Sequence, residues 1–231
     1  MSYVQSASSR DFGATSSTAT LTGVTAGNAL VGAVAWFPTS VNLTSLSGGS
    51  NTYNQVGAIT GAVYKMVLFY AENVNSGSCP VQASFSGSAS VAMVAVHEVS
   101  GRALSGAIDG FATVETSFGA GTDSATSSSI TPTVNGAYIF GVDFNTTQNG
   151  AFTAGTGFNG RISFAGNNGV TEDAIQAVAG SIAAVFSSAS FDTHLMGILA
   201  LAPAASGQPM SKRRGGVIHA VGAQPLGVRR W

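Results

Sequence analysis

Few residues in this chain have types and spacings that suggest chemistry. Glu172-Asp173 is the one adjacent acid pair. Paired carboxylates can hold calcium or hydrolyse glycosides. Calcium needs six to eight oxygens, and no Asp/Asn-rich loop surrounds this pair, so it reads as a solvated turn. His97, His194 and His219 could serve as bases or ligands. None has a second His or a Cys three or four residues away, and His97 reads as a hydrogen-bonded strand residue. On a strand His97 and Glu98 face apart, which argues against a dyad. Cys79 is the single cysteine, which excludes an internal disulfide and a cysteine-based zinc site. It reads as a small apolar residue. Gly155-Thr156-Gly157-Phe158-Asn159-Gly160 fits G-x-G-x-x-G, but a dinucleotide loop must open a helix and no helical pattern follows, so it reads as a plain loop. No G-x-S-x-G elbow occurs among the many serines. Trp36, Tyr53, Tyr64 and Tyr70 could form a sugar platform, although Trp36 lies in an apolar run and reads as core. The expectation is a protein that is not an enzyme, with no cofactor and no metal.

The C-terminal residues carry a different signal. Ala204-Ala205-Ser206-Gly207-Gln208-Pro209 has a linker composition. Beyond it stand Lys212, Arg213, Arg214, Val217, Ile218, Arg229, Arg230 and Trp231. The first 211 residues hold four basic residues against all ten acids, a net −6. The last twenty hold five basic residues and no acid, a net +5. Such segregation suggests a body, 1–203, and a basic arm, 204–231. Five cations give a salt slope of at most about −4.5, modest nonspecific binding that the acidic body opposes, so nucleic acid is set aside. A protein acceptor fits better, with Arg forks on carboxylates and Trp231 in a pocket.

The body that presents these residues reads as strands. Of 231 residues, 45% are hydrophobic and only 8% charged, which excludes disorder driven by charge. No apolar run reaches the roughly 18 residues of a membrane span, and the N-terminal residues show no basic-then-apolar secretion signal. Short apolar or alternating runs recur at 29–37, 63–71, 81–85, 91–99, 137–144, 175–186 and 195–202, with weaker Thr-rich runs at 15–22 and 126–133. In 91–99 both alternating faces are apolar, so that strand is expected to be central. Long loops are expected at 38–62 and 145–172. The halves also look alike. Phe12-Gly13-Ala14 and Phe118-Gly119-Ala120 each open a Thr/Ser-rich run, a turn and an apolar strand. Val81-Gln82-Ala83-Ser84-Phe85-Ser86 matches Ile182-Ala183-Ala184-Val185-Phe186-Ser187 in the same way. Either the similar halves, 12–101 and 118–203, build one sandwich, or two small sandwiches pack together; the lack of a Pro-rich or charged linker favours one.

Several segments resemble a family of β-sandwich proteins of tailed phages. They are Thr25-Ala26-Gly27-Asn28-Ala29-Leu30-Val31, Asn51-Thr52-Tyr53, Leu68-Phe69-Tyr70-Ala71-Glu72-Asn73-Val74, Val81-Gln82-Ala83-Ser84-Phe85-Ser86-Gly87, His97-Glu98-Val99-Ser100-Gly101 and Thr171-Glu172-Asp173. The resemblance covers about 12–203 and says nothing of the arm. It implies an all-β, jelly-roll-like sandwich of about 10–13 short strands in a virion structural protein, such as a capsid decoration, head-fibre or tail component. It transfers no catalytic residue. The partners expected are copies of the chain and capsid or tail proteins, in the virion and not at a membrane. The alternative is an adhesion module that grips a host-surface glycan through Tyr53 and Phe158.

Overall fold

The computed structural model describes residues 1–103, 105–117, 124–145, 152–164, 166, 169–188 and 193–205. Among them there are fourteen strands and no helix. The first half holds β1 (Ser2–Val24), β2 (Ala29–Phe37), β3 (Leu43–Ser47), β4 (Asn54–Thr60), β5 (Lys65–Ala71) and β6 (Gly77–Ser100). The second holds β7 (Ile108–Ser117), β8 (Ser124–Thr126), β9 (Ala137–Asn145), β10 (Phe152–Ala154), β11 (Asn159–Ser163), β12 (Gly169–Gln176), β13 (Val185–Ser188) and β14 (Thr193–Leu201). The all-β sandwich expected from the sequence is what the chain forms.

Two central sheets face one another. One runs β1-β6-β2-β5-β4 and the other β7-β14-β9-β12-β11. All their pairings are antiparallel. Alternate residues of β2 and β9 point to opposite faces. Both strands are nearly all buried because each sheet is covered on both sides. Val31, Ala33, Leu68 and Ala95 meet Tyr138, Phe140, Val142 and Leu199 in a central core. The opposite faces form two outer cores. Leu30, Val34, Trp36 and Phe69 build the first with Leu21, Val81 and Phe85. Ile139, Met196 and Ile198 build the second with Ala125, Phe152 and Phe186.

The covers of the outer cores arise differently in the two halves. β1 and β6 are far longer than the expected runs, at 23 and 24 residues. The pairing steps from Ala14↔Ala89 to Ser16↔Ser84, so several residues of β6 bulge opposite one of β1. Such bulges bend a strand pair. The turn expected between the run ending at Ser86 and the apolar strand to Val99 is instead continuous strand, which carries the ribbon over the sheet's own outer face. There the far end of the ribbon pairs with β3 through β6. In the second half the same cover is a separate sheet, β8-β13-β10. The order β1-β6-β3 of the first cover matches β8-β13-β10 of the second, just as the orders of the two central sheets match.

Other expectations need correction. The run 175–186 is not one strand: β12 ends at Gln176, residues 177–180 form a bend, and β13 starts at Val185. Of 126–133, only the first residue lies in a strand, apart from an isolated bridge between Ile130 and Ile182. The expected loops at 38–62 and 145–172 contain β3, β4, β10, β11 and the start of β12. β3, β4 and β11 expose much of their surface, so little apolar alternation marks them.

Candidate functional site

The matching orders, with a glycine that makes room for a buried outer-face side chain in each central sheet (Gly32 for Phe69, Gly141 for Glu172), set the register in which the halves are laid on each other. Ala33 lies opposite Leu68 on β5 and Ala95 on β6. Val142 lies opposite Thr171 on β12 and Gly197 on β14. One step along each strand reaches the outer faces. Gly32 opposite Phe69 then corresponds to Gly141 opposite Glu172. Trp36 opposite Ala92 corresponds to Asn145 opposite His194. Val34 corresponds to Asp143. Where the first outer core has Val34, Trp36, Phe69 and Ala92, the second therefore has Asp143, Asn145, Glu172 and His194. All eight side chains are buried.

Of these four polar side chains, Asp143 and His194 pair directly. His194 Nδ1 lies 2.9 Å from Asp143 Oδ2 and 3.1 Å from Oδ1. Neither side chain is more than 1% exposed. The Phe152 ring meets the imidazole edge-on at 5.9 Å. Glu172 Oε2 accepts from the Gly155 N–H at 2.9 Å, and Oε1 from the Val185 N–H at 3.0 Å. One carboxyl thus ties the turn after β10 and the first residue of β13 to the central sheet. Gly141 makes room for it, since a Cβ there would come within 2.8 Å of Glu172 Cγ. Gly32 does the same for the Phe69 ring, at 2.6 Å. Burial raises the Glu172 pKa to about 7, with the charges of Asp143 and Asp173 adding to the rise and the two backbone N–H bonds opposing it. The Asn145 amide has no hydrogen-bond partner on either Nδ2 or Oδ1. Among the described residues, no three His, Cys, Asp or Glu side chains are grouped to hold a metal ion.

The other charged and polar groups in the interior also act as pins. His97 lies in the central core, its Nδ1 sharing a hydrogen bond with Tyr138 Oη at 2.9 Å and its Nε2 with Thr171 Oγ1 at 2.7 Å. The ring stacks edge-on to Phe140 and Tyr3. Burial lowers its pKa to about 3, helped by the charge of Arg161, so the imidazole is neutral. His97 is thus the hydrogen-bonded strand residue the sequence suggested. Glu98 faces the other way, as expected. It accepts from Thr25 N at 2.9 Å, Asn28 Nδ2 at 2.6 Å and Gln5 Nε2 at 2.6 Å, fixing the turn before β2. Asp173 pairs with Arg161 at 2.5 Å, and that guanidinium covers the Tyr3 ring at 3.9 Å. The expectation of a solvated turn at Glu172-Asp173 is overturned. Both residues lie buried in β12, because backbone donors and Arg161 compensate for the lost water.

The remaining candidates fall as follows. Cys79 is buried, with Asn51 Nδ2 donating to its Sγ at 3.2 Å. Trp36 fills the first outer core and donates from Nε1 to Val41 O at 2.8 Å. The G-x-G-x-x-G segment forms the turn between β10 and β11 and the first two residues of β11, with Phe158 N donating to Gly155 O at 3.0 Å. Tyr53 and Phe158 occupy equivalent places, each just before the edge strand of its sheet. Tyr53 is half-buried on the first outer core, its ring 5.8 Å from Phe69 and its hydroxyl donating to Gly48 O at 3.2 Å. Phe158 is half-buried on the second outer core. The two aromatics serve different cores, with both central sheets between them. Lys212, Arg213, Arg214, Val217, Ile218, Arg229, Arg230 and Trp231 lie outside the described residues.

Sequence reasoning missed Asp143, Asn145 and the pairing of His194. The signal lies in the strand pairing: laid on each other by register, the second half has polar residues at four positions where the first has apolar ones. The chain matches no family model, no curated protein and no solved structure.

Proposed function

We propose that the protein is a structural component of a bacteriophage particle, a capsid decoration, head-fibre or tail protein, whose sandwich is attached through the basic C-terminal arm. The observation that carries this reading is the division of charge. In the body, three of the residues that could do chemistry are engaged as internal pins: His97 between the central sheets, Glu98 under a turn, Glu172 under the second cover. Five of the nine Lys and Arg residues stand in the last twenty positions. A sheet stack fixed by buried hydrogen bonds suits a passive projecting body, and a short cationic segment suits attachment to an acidic acceptor on a repeated lattice, where many copies add avidity. The resemblance in strand and turn segments points the same way.

The test is incorporation. Particles assembled with the full-length chain are expected to retain it through sedimentation. Particles assembled with a chain lacking 206–231 are expected to lose it, while the shortened chain keeps its β-sheet circular dichroism. Equal incorporation of both chains overturns the reading.

A further inference from the structure

A groove of about 750 Å³ opens where the described chain ends. Met1, Val134, Gly136, Ile175, Pro203 and Ala205 help to line it. Val134 is 39% exposed and Ile175 47%, and Val178, on the bend after β12, is 69% exposed. Val134 and Ile175 both line the groove, and the segments that carry them and Val178 are tied together: Gly136 N donates to Gln176 O at 2.8 Å, and Ala179 N to Asn135 Oδ1 at 2.7 Å. An exposed apolar cluster beside a groove of this size is a feature of binding surfaces. Its walls are fixed. Pro203 bridges to Arg102, Ala204 N donates to Gly101 O at 2.9 Å, and Asp109 accepts from Thr133 N and Oγ1 on the groove's rim.

We propose that this groove is the docking site of the chain's own segment 217–221, Val217-Ile218-His219-Ala220-Val221. The sequence around that segment fits the place. Ala205 lines the groove, and Val217 follows twelve residues later, a span of up to about 40 Å when extended. Gly215-Gly216 stands immediately before the segment, where the chain would reverse, and glycine permits the tight turn. The segment has four aliphatic residues in five, which the groove's apolar wall would shield from water. A short tether also keeps its local concentration high, in the millimolar range, so a modest contact suffices. Docked there, the segment would leave Lys212-Arg213-Arg214, Arg229-Arg230 and Trp231 free to reach a partner. Only the use of those cations rests on the anchoring reading; the docking is independent of it.

The experiment is amide hydrogen exchange on the full-length protein at micromolar concentration, with a free peptide of residues 210–225 as reference. The account expects amides of 217–221 to exchange at least about tenfold more slowly than in the peptide. It expects that protection to vanish in Ile175→Asp and Val134→Asp, whose sites are already exposed, while β9 and β12 amides keep theirs. A second variant pair joins Ile175→Cys with Ile218→Cys and is expected to form an intramolecular disulfide under mild oxidation. Peptide-like exchange in the full-length chain overturns the proposal, as does protection that survives both Asp variants. Protection that rises with protein concentration, with the disulfide forming only between chains, overturns it in favour of a neighbouring copy. None of these results depends on particle incorporation.

Discussion

Two buried groups push stability in opposite directions with pH, and the structure fixes both signs. His97 has an ordinary pKa of 6.5 and about 3 in the folded chain. Between those values the unfolded chain binds the extra proton, so His97 makes stability fall as pH drops from 6.5 towards 3. At about 1.4 kcal/mol per pH unit the whole effect is about 5 kcal/mol. Glu172 has an ordinary value of 4.5 and about 7 when folded. Here the folded chain holds the proton, so stability is greatest below 4.5 and falls as pH rises through 7, by about 3 kcal/mol. From pH 4.5 to 6.5 the two slopes cancel. The assay is urea unfolding followed by β-sheet circular dichroism at half-unit pH steps, on the wild type, Glu172→Gln and His97→Gln. Relative to wild type, Glu172→Gln is expected to gain about 3 kcal/mol of stability from pH 4.5 to 6.5, since only the His97 slope remains. His97→Gln is expected to lose a similar amount over the same range. Variant curves parallel to the wild type in this window would refute the assignment of those protons.

Other perturbations test the pins and the cores. Glu98→Ala leaves the Thr25, Asn28 and Gln5 donors without their shared acceptor; it is expected to cost about 3 kcal/mol in urea unfolding and to speed amide exchange at 25–28. Phe69→Ala empties the place beside Gly32 and under Tyr53, with an expected cost of about 3–5 kcal/mol. Trp36→Phe shrinks the indole to a phenyl ring, which loses the bond to Val41 O and leaves a gap in the first outer core, and about 2–3 kcal/mol is the expected loss by the same assay.

The strands with two apolar faces were the most legible part of the chain. β2, β9 and β14 follow the expected runs almost to the residue, because central strands of covered sheets concentrate Val, Ile, Leu and Ala. β1 and β6 were half legible. Their Thr/Ser-rich and apolar stretches were visible, but a bulge that keeps a strand continuous while bending it looks in sequence like the turn that ends one. The edge strands β4 and β11 were hidden because water replaces apolar neighbours on their open sides. For the site, His97 is the hydrogen-bonded strand residue expected, although its partners Tyr138 and Thr171 are 41 and 74 residues away, and Cys79 is a small buried residue of the first outer core. Glu172 was misread because its partners, Gly155 and Val185, are 17 and 13 residues away and contribute backbone N–H groups that carry no side-chain signature. Asp143 with His194, 51 residues apart, meet only through the pairing of β9 with β14.

The proposal that the body is a structural unit attached by its arm is tested most directly by mass. Light scattering should be run on the full-length protein and on a chain ending at Ala205, across a tenfold range of concentration and at low and high salt. The account predicts that the full-length chain self-associates or binds purified particles in a salt-sensitive way, while the shortened chain remains a folded monomer that binds neither. Full-length and shortened chains that behave alike, both in mass and in particle binding, would contradict it.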